Sequence, residues 1–277
     1  MKRYISKLDG SRELFDEEKI MTSLLKAGTD KNIADNILKG IKKNISDLTQ
    51  SKEIYEIAFK HLTIKQPDAA LKYTLKKAIF DLGPTGYVFE RYLAKVLNAH
   101  GYKTEVGIFI KGSCVDHEVD VAAEKNGEHF MIECKYHNNI GTKSDVKTAL
   151  YISARFLDIK NASKAGLNRY NFSQGWLATN TKCTTDAIKY ANCVKLNIVA
   201  WHYPHDNNLE YYIESKKLYP VSILPGLGDL QKDKLFENKI YSIQDLLEEP
   251  QDTIEKLVNL DITAVRKLYA EAALLLS

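Results

Sequence analysis

The sequence predicts an α/β protein in three segments, and three observations carry that expectation. Leu82-Gly83-Pro84 stops a first, mainly helical stretch. Strand and helix patterns then alternate from Gly86 to about Trp201, the order that builds a sheet covered by helices. A third stretch, from about Leu218, holds the turn Leu224-Pro225-Gly226-Leu227-Gly228 and then returns to helical periodicity. As domains these are residues 1–84, 85–215 and 216–277.

The first segment opens with a strand at Arg3–Lys7, a turn at Leu8-Asp9-Gly10 and a second strand reaching Phe15. Asp16 is placed to cap a helix from Glu17 to Lys26. Further helices are expected over 32–43, 51–64 and 67–82; Ile33, Ile37, Leu38 and Ile41 recur at helical spacing in the first of them.

The middle segment holds the most informative residues. Asp120 sits in His117-Glu118-Val119-Asp120-Val121, and twelve residues later Ile132-Glu133-Cys134-Lys135 follows. Asn126-Gly127 lies between them and favours a tight hairpin that folds the two strands together. Glu133 and Lys135, two apart on a strand, project to the same face roughly 7 Å apart. Val119, Val121, Phe130, Met131 and Ile132 mark these strands as buried, where carboxylates are costly unless a metal or partner compensates. Two carboxylates and an amine at one sheet edge suit metal-assisted phosphodiester hydrolysis. Mg²⁺ or Mn²⁺ takes carboxylate oxygens at Asp120 and Glu133, and the cation activates water. Lys135 then orients that water or stabilises the transition state. His117 and His137 flank the site.

After the hairpin the pattern gives a helix over 144–157, a short buried strand at Trp176–Thr179, a helix over 186–194 and a strand over 196–201. Short strand–helix–strand connections imply parallel pairing at this end of the sheet.

Two resemblances rest on these residues. Gly86-Tyr87-Val88-Phe89-Glu90, Gly101-Tyr102, Asp120 and Glu133-x-Lys135 together resemble the PD-(D/E)xK nuclease superfamily, and within it the Mrr-like restriction endonucleases. The resemblance implies a restriction-endonuclease-like α/β/α core with a mixed sheet, and a supporting role for Glu90 at the metal. Many Mrr-like sequences carry Gln-x-Lys where this chain has Glu-x-Lys. Residues 5–10, Phe15-Asp16-Glu17-Glu18-Lys19-Ile20 and Tyr73-x-Leu75-Lys76-Lys77-Ala78-Ile79 resemble the ATP-cone, a nucleotide-sensing module. That resemblance implies ATP or dATP as effector, with phosphates held by Lys7, Lys19 and, more weakly, Lys76. Leu8 replaces the family's usual arginine, and Tyr55 stands where some relatives place a histidine.

The third segment is similar to a helix-hairpin-helix motif, in which Gly226 and Gly228 let backbone N–H groups approach a DNA phosphate. A helical cap used for dimerisation fits the same pattern. A degenerate second copy spans Leu257–Leu276.

Composition narrows the classes further. The 277 residues are 44% hydrophobic and 27% charged, ordinary for a folded protein with real cores. No apolar run approaches a membrane span, the start of the chain turns polar at once, and the four cysteines form no CxxC pair, which together suit a cytoplasmic protein. Net charge is only +3, but residues 140–195 hold nine Lys/Arg against three Asp and no Glu. Lys143 and Lys147 lead that run and are candidates for DNA contact. The expected function is therefore a metal-dependent DNA endonuclease, regulated by ATP or dATP, acting as a homo-oligomer in defence against foreign DNA. The alternative is a nucleotide-sensing DNA-binding regulator whose nuclease fold does not cleave.

Overall fold

The computed structural model describes residues 3–7 and 10–277, so the Leu8-Asp9 part of the expected first turn lies outside the described residues. The chain divides into two compact units, one of residues 1–78, 221–234 and 246–277, the other of residues 79–220 and 235–245. The C-terminal stretch, read above as a domain of its own, is shared between them.

The first unit begins with strands β1 (Tyr4–Ser6) and β2 (Arg12–Leu14), paired antiparallel. Helix α1 (Glu17–Lys26) follows, and Asp16 caps it by accepting from the N–H groups of Glu18 and Lys19. Next come α2 (Lys31–Asn44), β3 (Thr49–Gln50), α3 (Ser51–Lys65), α4 (Pro67–Tyr73) and α5 (Leu75–Phe80). Two differences from the sequence reading have local causes. β3 is a two-residue strand, too short for any periodicity to reveal, and it pairs parallel with β1. The helix expected over 67–82 breaks at Thr74, whose hydroxyl donates to the Leu71 carbonyl and competes with the helical ladder. Leu24, Ile37, Ile41, Ile54, Ala58 and Leu62 form the core of this unit.

The second unit is a five-stranded mixed sheet with helices. Helix α6 (Gly86–Ala99) leads into β4 (Lys103–Lys111), β5 (Asp116–Lys125) and β6 (Glu128–Lys135). Then follow β7 (Lys143–Ser144), α7 (Val146–Lys164), β8 (Phe172–Thr179), β9 (Lys182–Cys183), α8 (Thr185–Val194), β10 (Asn197–Val199) and α9 (Leu209–Glu214). The sheet order is β10-β8-β6-β5-β4. The β4-β5-β6 meander is antiparallel and β6-β8-β10 is parallel, as the short crossovers required. β4 escaped the sequence reading, and so did the last two turns of α7, where Lys160 and Lys164 look polar but Ile159 and Ala162 are buried.

The C-terminal stretch contains a three-residue 3-10 turn (Val221–Ile223), then α10 (Asp229–Glu237), α11 (Ile243–Glu248), α12 (Gln251–Val258) and α13 (Ile262–Leu276). The Gly226-x-Gly228 turn is thus preceded by a single 3-10 turn. α13 packs on α4 in the first unit, and a Cβ on Gly226 would lie 3.0 Å from Leu268 of α13. No described helix is long and apolar enough to cross a membrane.

Candidate active site

Asn126 and Gly127 adopt φ of 54° and 79°, and this left-handed pair closes the two-residue loop between β5 and β6. The register ends with Val121 opposite Ile132. Asp120 and Glu133 are the next residues outward on the two strands. β6 is flanked by β5 and β8, with Glu133 opposite Leu177 and Lys135 opposite Thr179, so Glu133 is only 7% exposed. Asp120 accepts a 2.7 Å hydrogen bond from the Cys134 N–H through Oδ2. Lys135, one pleat further out, is exposed.

Glu90 from α6 and Glu118 from β5 complete a cluster of four carboxylates that act on one another. Burial pushes Glu133 up to about 8, with further upward pressure from Asp120, Glu90 and Glu118 that Arg155 only partly offsets. Glu90 is pushed to about 7, by burial first and then by Asp120 and Glu118. Burial also raises Asp120, against the pull of the Cys134 N–H and Arg155. Arg155 Nη1 pairs with Glu133 Oε2 at 2.5 Å, while Glu133 Oε1 is buried with no hydrogen-bond partner. A cavity of about 430 Å³ opens beside them, lined by Glu133, Cys134, Lys135, Thr148, Tyr151, Ile152 and Arg155.

Among the described residues, no group of three or more His, Cys, Asp or Glu side chains forms a ready metal cage. The residues nonetheless fit a hard divalent cation in kind. The donors are carboxylate oxygens, one of them buried and orphaned, and Mg²⁺ commonly uses one or two carboxylates plus water and phosphate.

Sequence reasoning assigned no role in the site to Glu118 or Arg155, counting the arginine only as part of a basic run. A usable signal existed for each. Glu118 precedes Asp120 by two and shares its strand face. Thr148, Tyr151 and Arg155 recur at helical spacing on α7 and line one cavity. Of the flanking histidines, His117 Nε2 lies 2.8 Å from Asp158 and His137 Nε2 lies 2.9 Å from the Ser144 hydroxyl.

Lys143 on β7 and Lys147 in the first turn of α7 are both exposed, and Lys147 adjoins the cavity residue Thr148. Gly226 and Gly228 are exposed in the other compact unit.

In the first unit, Lys7 and Lys19 converge on the Glu13 carboxylate. Those two lysines, Lys19 foremost, hold Glu13 down at about 2. A cavity of about 200 Å³ lies here, bounded by Glu13, Phe15, Asp16, Lys19, Tyr55 and Tyr73 among others. Tyr55 stacks on Tyr73 with centroids 5.2 Å apart. Lys76 is not part of this lining. Glu13 is a residue the sequence reading passed over.

The chain matches the ATP cone domain family over residues 3–79 and a restriction endonuclease domain of the Mrr catalytic type over residues 84–205. An uncharacterized protein of Archaeoglobus fulgidus is 36% identical over 180 residues, spanning 65% of this chain and 97% of the relative. A crystal structure of a protein of unknown function is 35% identical and superposes with a TM-score of 0.57, over 68% of this chain and 97% of that one.

Proposed function

Because this chain belongs to the Mrr-type restriction endonuclease family and carries an ATP cone ahead of its nuclease domain, we propose that it is a divalent-metal-dependent DNA endonuclease regulated by a nucleotide at the cone. The observation that carries the reading is the buried Glu133 with the half-buried Asp120 next to it, reinforced by Glu90 and Glu118, where Glu133 and Lys135 line one cavity. Asp120 and Glu133 hold the cation through oxygen, and Glu90 supports them. A bound Mg²⁺ or Mn²⁺ supplies Lewis-acid polarisation of the phosphate and a water of lowered pKa. Lys135, carrying its charge on a flexible stem at the cavity, orients the attacking water or neutralises the developing phosphorane charge. Lys143 and Lys147 track the DNA backbone, and Gly226 and Gly228 offer it backbone N–H groups.

ATP or dATP binds at the cone through Lys7 and Lys19, with Lys76 contributing from outside the cavity. For nucleotide to regulate cleavage, it must favour one of two states of the protein. Cutting both strands calls for two active sites, so the working form is a homo-oligomer. Defence against foreign DNA is the setting this activity suits.

One observation favours the alternative of a DNA-binding regulator that does not cleave, namely that Glu133 already has a cationic partner in Arg155. Plasmid DNA incubated with the protein and Mg²⁺ or Mn²⁺, with and without ATP or dATP, separates the two. Nicking or linearisation that vanishes in Glu133→Ala and responds to nucleotide is expected. DNA binding without cleavage under every metal, on methylated and unmethylated substrates alike, would leave the regulator.

A further inference from the structure

We infer that Arg155 is a built-in counter-ion that exchanges partners, holding Glu133 in the metal-free protein and taking the substrate phosphate once a cation occupies Glu133. The inference rests on the metal-dependent cleavage proposed above.

Every nitrogen of the guanidinium is committed. Nη1 pairs with Glu133 Oε2, Nη2 donates to the Glu118 carbonyl, and Nε donates to His117 Nδ1 at 3.4 Å. The carbonyl and histidine contacts belong to fixed scaffold. His117 is itself held by Asp158, 2.8 Å from Nε2, and Asp158 also accepts from the N–H groups of Cys114 and Val115. Arg155 further packs over the Tyr151 ring, 5.3 Å from its centroid. Aim and position of the guanidinium therefore come from groups that are not candidate metal ligands. The remaining contact, to Glu133, is the one a cation must compete with.

Charge balance gives the reason for such a contact. Four carboxylates gather at this site, and keeping the buried one, Glu133, charged beside the other three without a cation is costly. Arg155 supplies one positive charge at the most buried of them. A divalent cation supplies two, and Glu133 Oε1, buried with no hydrogen-bond partner, is an unused oxygen donor for it. Once that cation neutralises the Glu133 carboxylate, its hold on Nη1 weakens enough for a phosphate to displace it, while Nε and Nη2 keep their partners. The freed N–H then faces the cavity that also holds Lys135, Thr148 and Tyr151. Guanidinium geometry suits phosphate oxygens, and a phosphate held by Arg155 would lie in the cavity that Lys135 also lines.

The test uses the full-length protein. Mn²⁺ binding without DNA is followed by electron paramagnetic resonance, and plasmid cleavage in Mg²⁺ is measured in parallel. Arg155→Gln is expected to bind Mn²⁺ about tenfold more tightly than wild type, because the competing cation is gone. Its cleavage should nonetheless fall by on the order of a hundredfold, because the phosphate ligand is gone. Arg155→Lys, which keeps the charge and loses the fork, should bind Mn²⁺ as wild type does and cleave poorly. Equal or weaker Mn²⁺ binding by Arg155→Gln overturns the exchange, and unchanged cleavage overturns the phosphate role. In the wild type, Mg²⁺ should move one arginine Nε–H resonance that is missing from Arg155→Lys; saturation with Mg²⁺ and no such change also overturns the exchange. A wild type that cleaves nothing overturns the endonuclease reading, while the Mn²⁺ and Mg²⁺ titrations still decide the exchange.

Discussion

Glu13 and Glu133 are the same residue in opposite circumstances. Glu13 lies at the surface of the first unit between Lys7 and Lys19 and is held at about 2. Glu133 lies inside the second unit among Asp120, Glu90 and Glu118, and is pushed to about 8 even though Arg155 touches it. In the first case nearby cations win over slight desolvation. In the second, burial and like charge win over one ion pair. The two sites are thus built in opposite senses: one gathers lysines, as the proposed nucleotide site requires, and the other gathers carboxylates, as the proposed metal site requires. Each meanwhile borrows a counter-charge from its own chain.

The largest test of this contrast is removal of the buried carboxylate. Glu133→Ala is expected to lower Mg²⁺-dependent cleavage by on the order of a thousandfold or more, since it removes a proposed cation ligand. Retention of wild-type cleavage rates by that variant would place the chemistry elsewhere.

Next comes pH, where the two glutamates should pull in opposite directions. Folded-state values above 4.5 mean that Glu133 and Glu90 favour the native state fully only below about pH 4.5, and that this contribution is lost as pH rises toward about 8. Metal-free protein should therefore lose on the order of 2 kcal/mol between pH 5 and 8, with Glu133→Gln flattening the slope and Mg²⁺ restoring stability at pH 8. Thermal melts across that window, with chelator and with Mg²⁺, measure it; a rising or flat wild-type profile in chelator would contradict the burial argument. Glu13, held low, contributes in the other sense: its share is present above about pH 4.5 and is lost only as pH falls toward 2.

A smaller effect is expected at the cone. Glu13→Gln releases Lys7 and Lys19, so ATP or dATP should bind roughly three- to tenfold more tightly, most visibly at low ionic strength. Calorimetric titration reads this directly, and weaker binding by the variant would mean that Glu13 itself helps hold the nucleotide. Smallest of all, Asp16→Ala removes the cap of the helix that carries Lys19 and should cost about 1 kcal/mol of stability. An unchanged melting temperature would show that the cap contributes nothing to the folded cone.

Much of this was legible in the chain because it depends on neighbours in sequence. Asp16 announces α1 by cap chemistry, and Asn126-Gly127 announces the hairpin because few other pairs tolerate two left-handed residues. Once that turn is fixed, the pleat brings Asp120 and Glu133 to adjacent positions beyond the Val121–Ile132 pair. Alternation alone puts Lys135 one pleat further out. The order of segments and the parallel half of the sheet follow from crossover lengths. Other features had no local signature. The break at Thr74 turns on one hydroxyl, and β3 exists only because β1 lies beside it. Glu13 looked like any exposed acid until folding set Lys7 and Lys19 around it. Arg155 looked like one more charge in a basic helix, yet it is 22 residues from Glu133 and reaches it only because α7 returns across the sheet. The sequence determined which groups could do chemistry, since side-chain type and strand alternation are local properties. Tertiary structure alone decided which opposite charges those groups meet, because ion pairs and desolvation depend on distances that only the folded chain fixes.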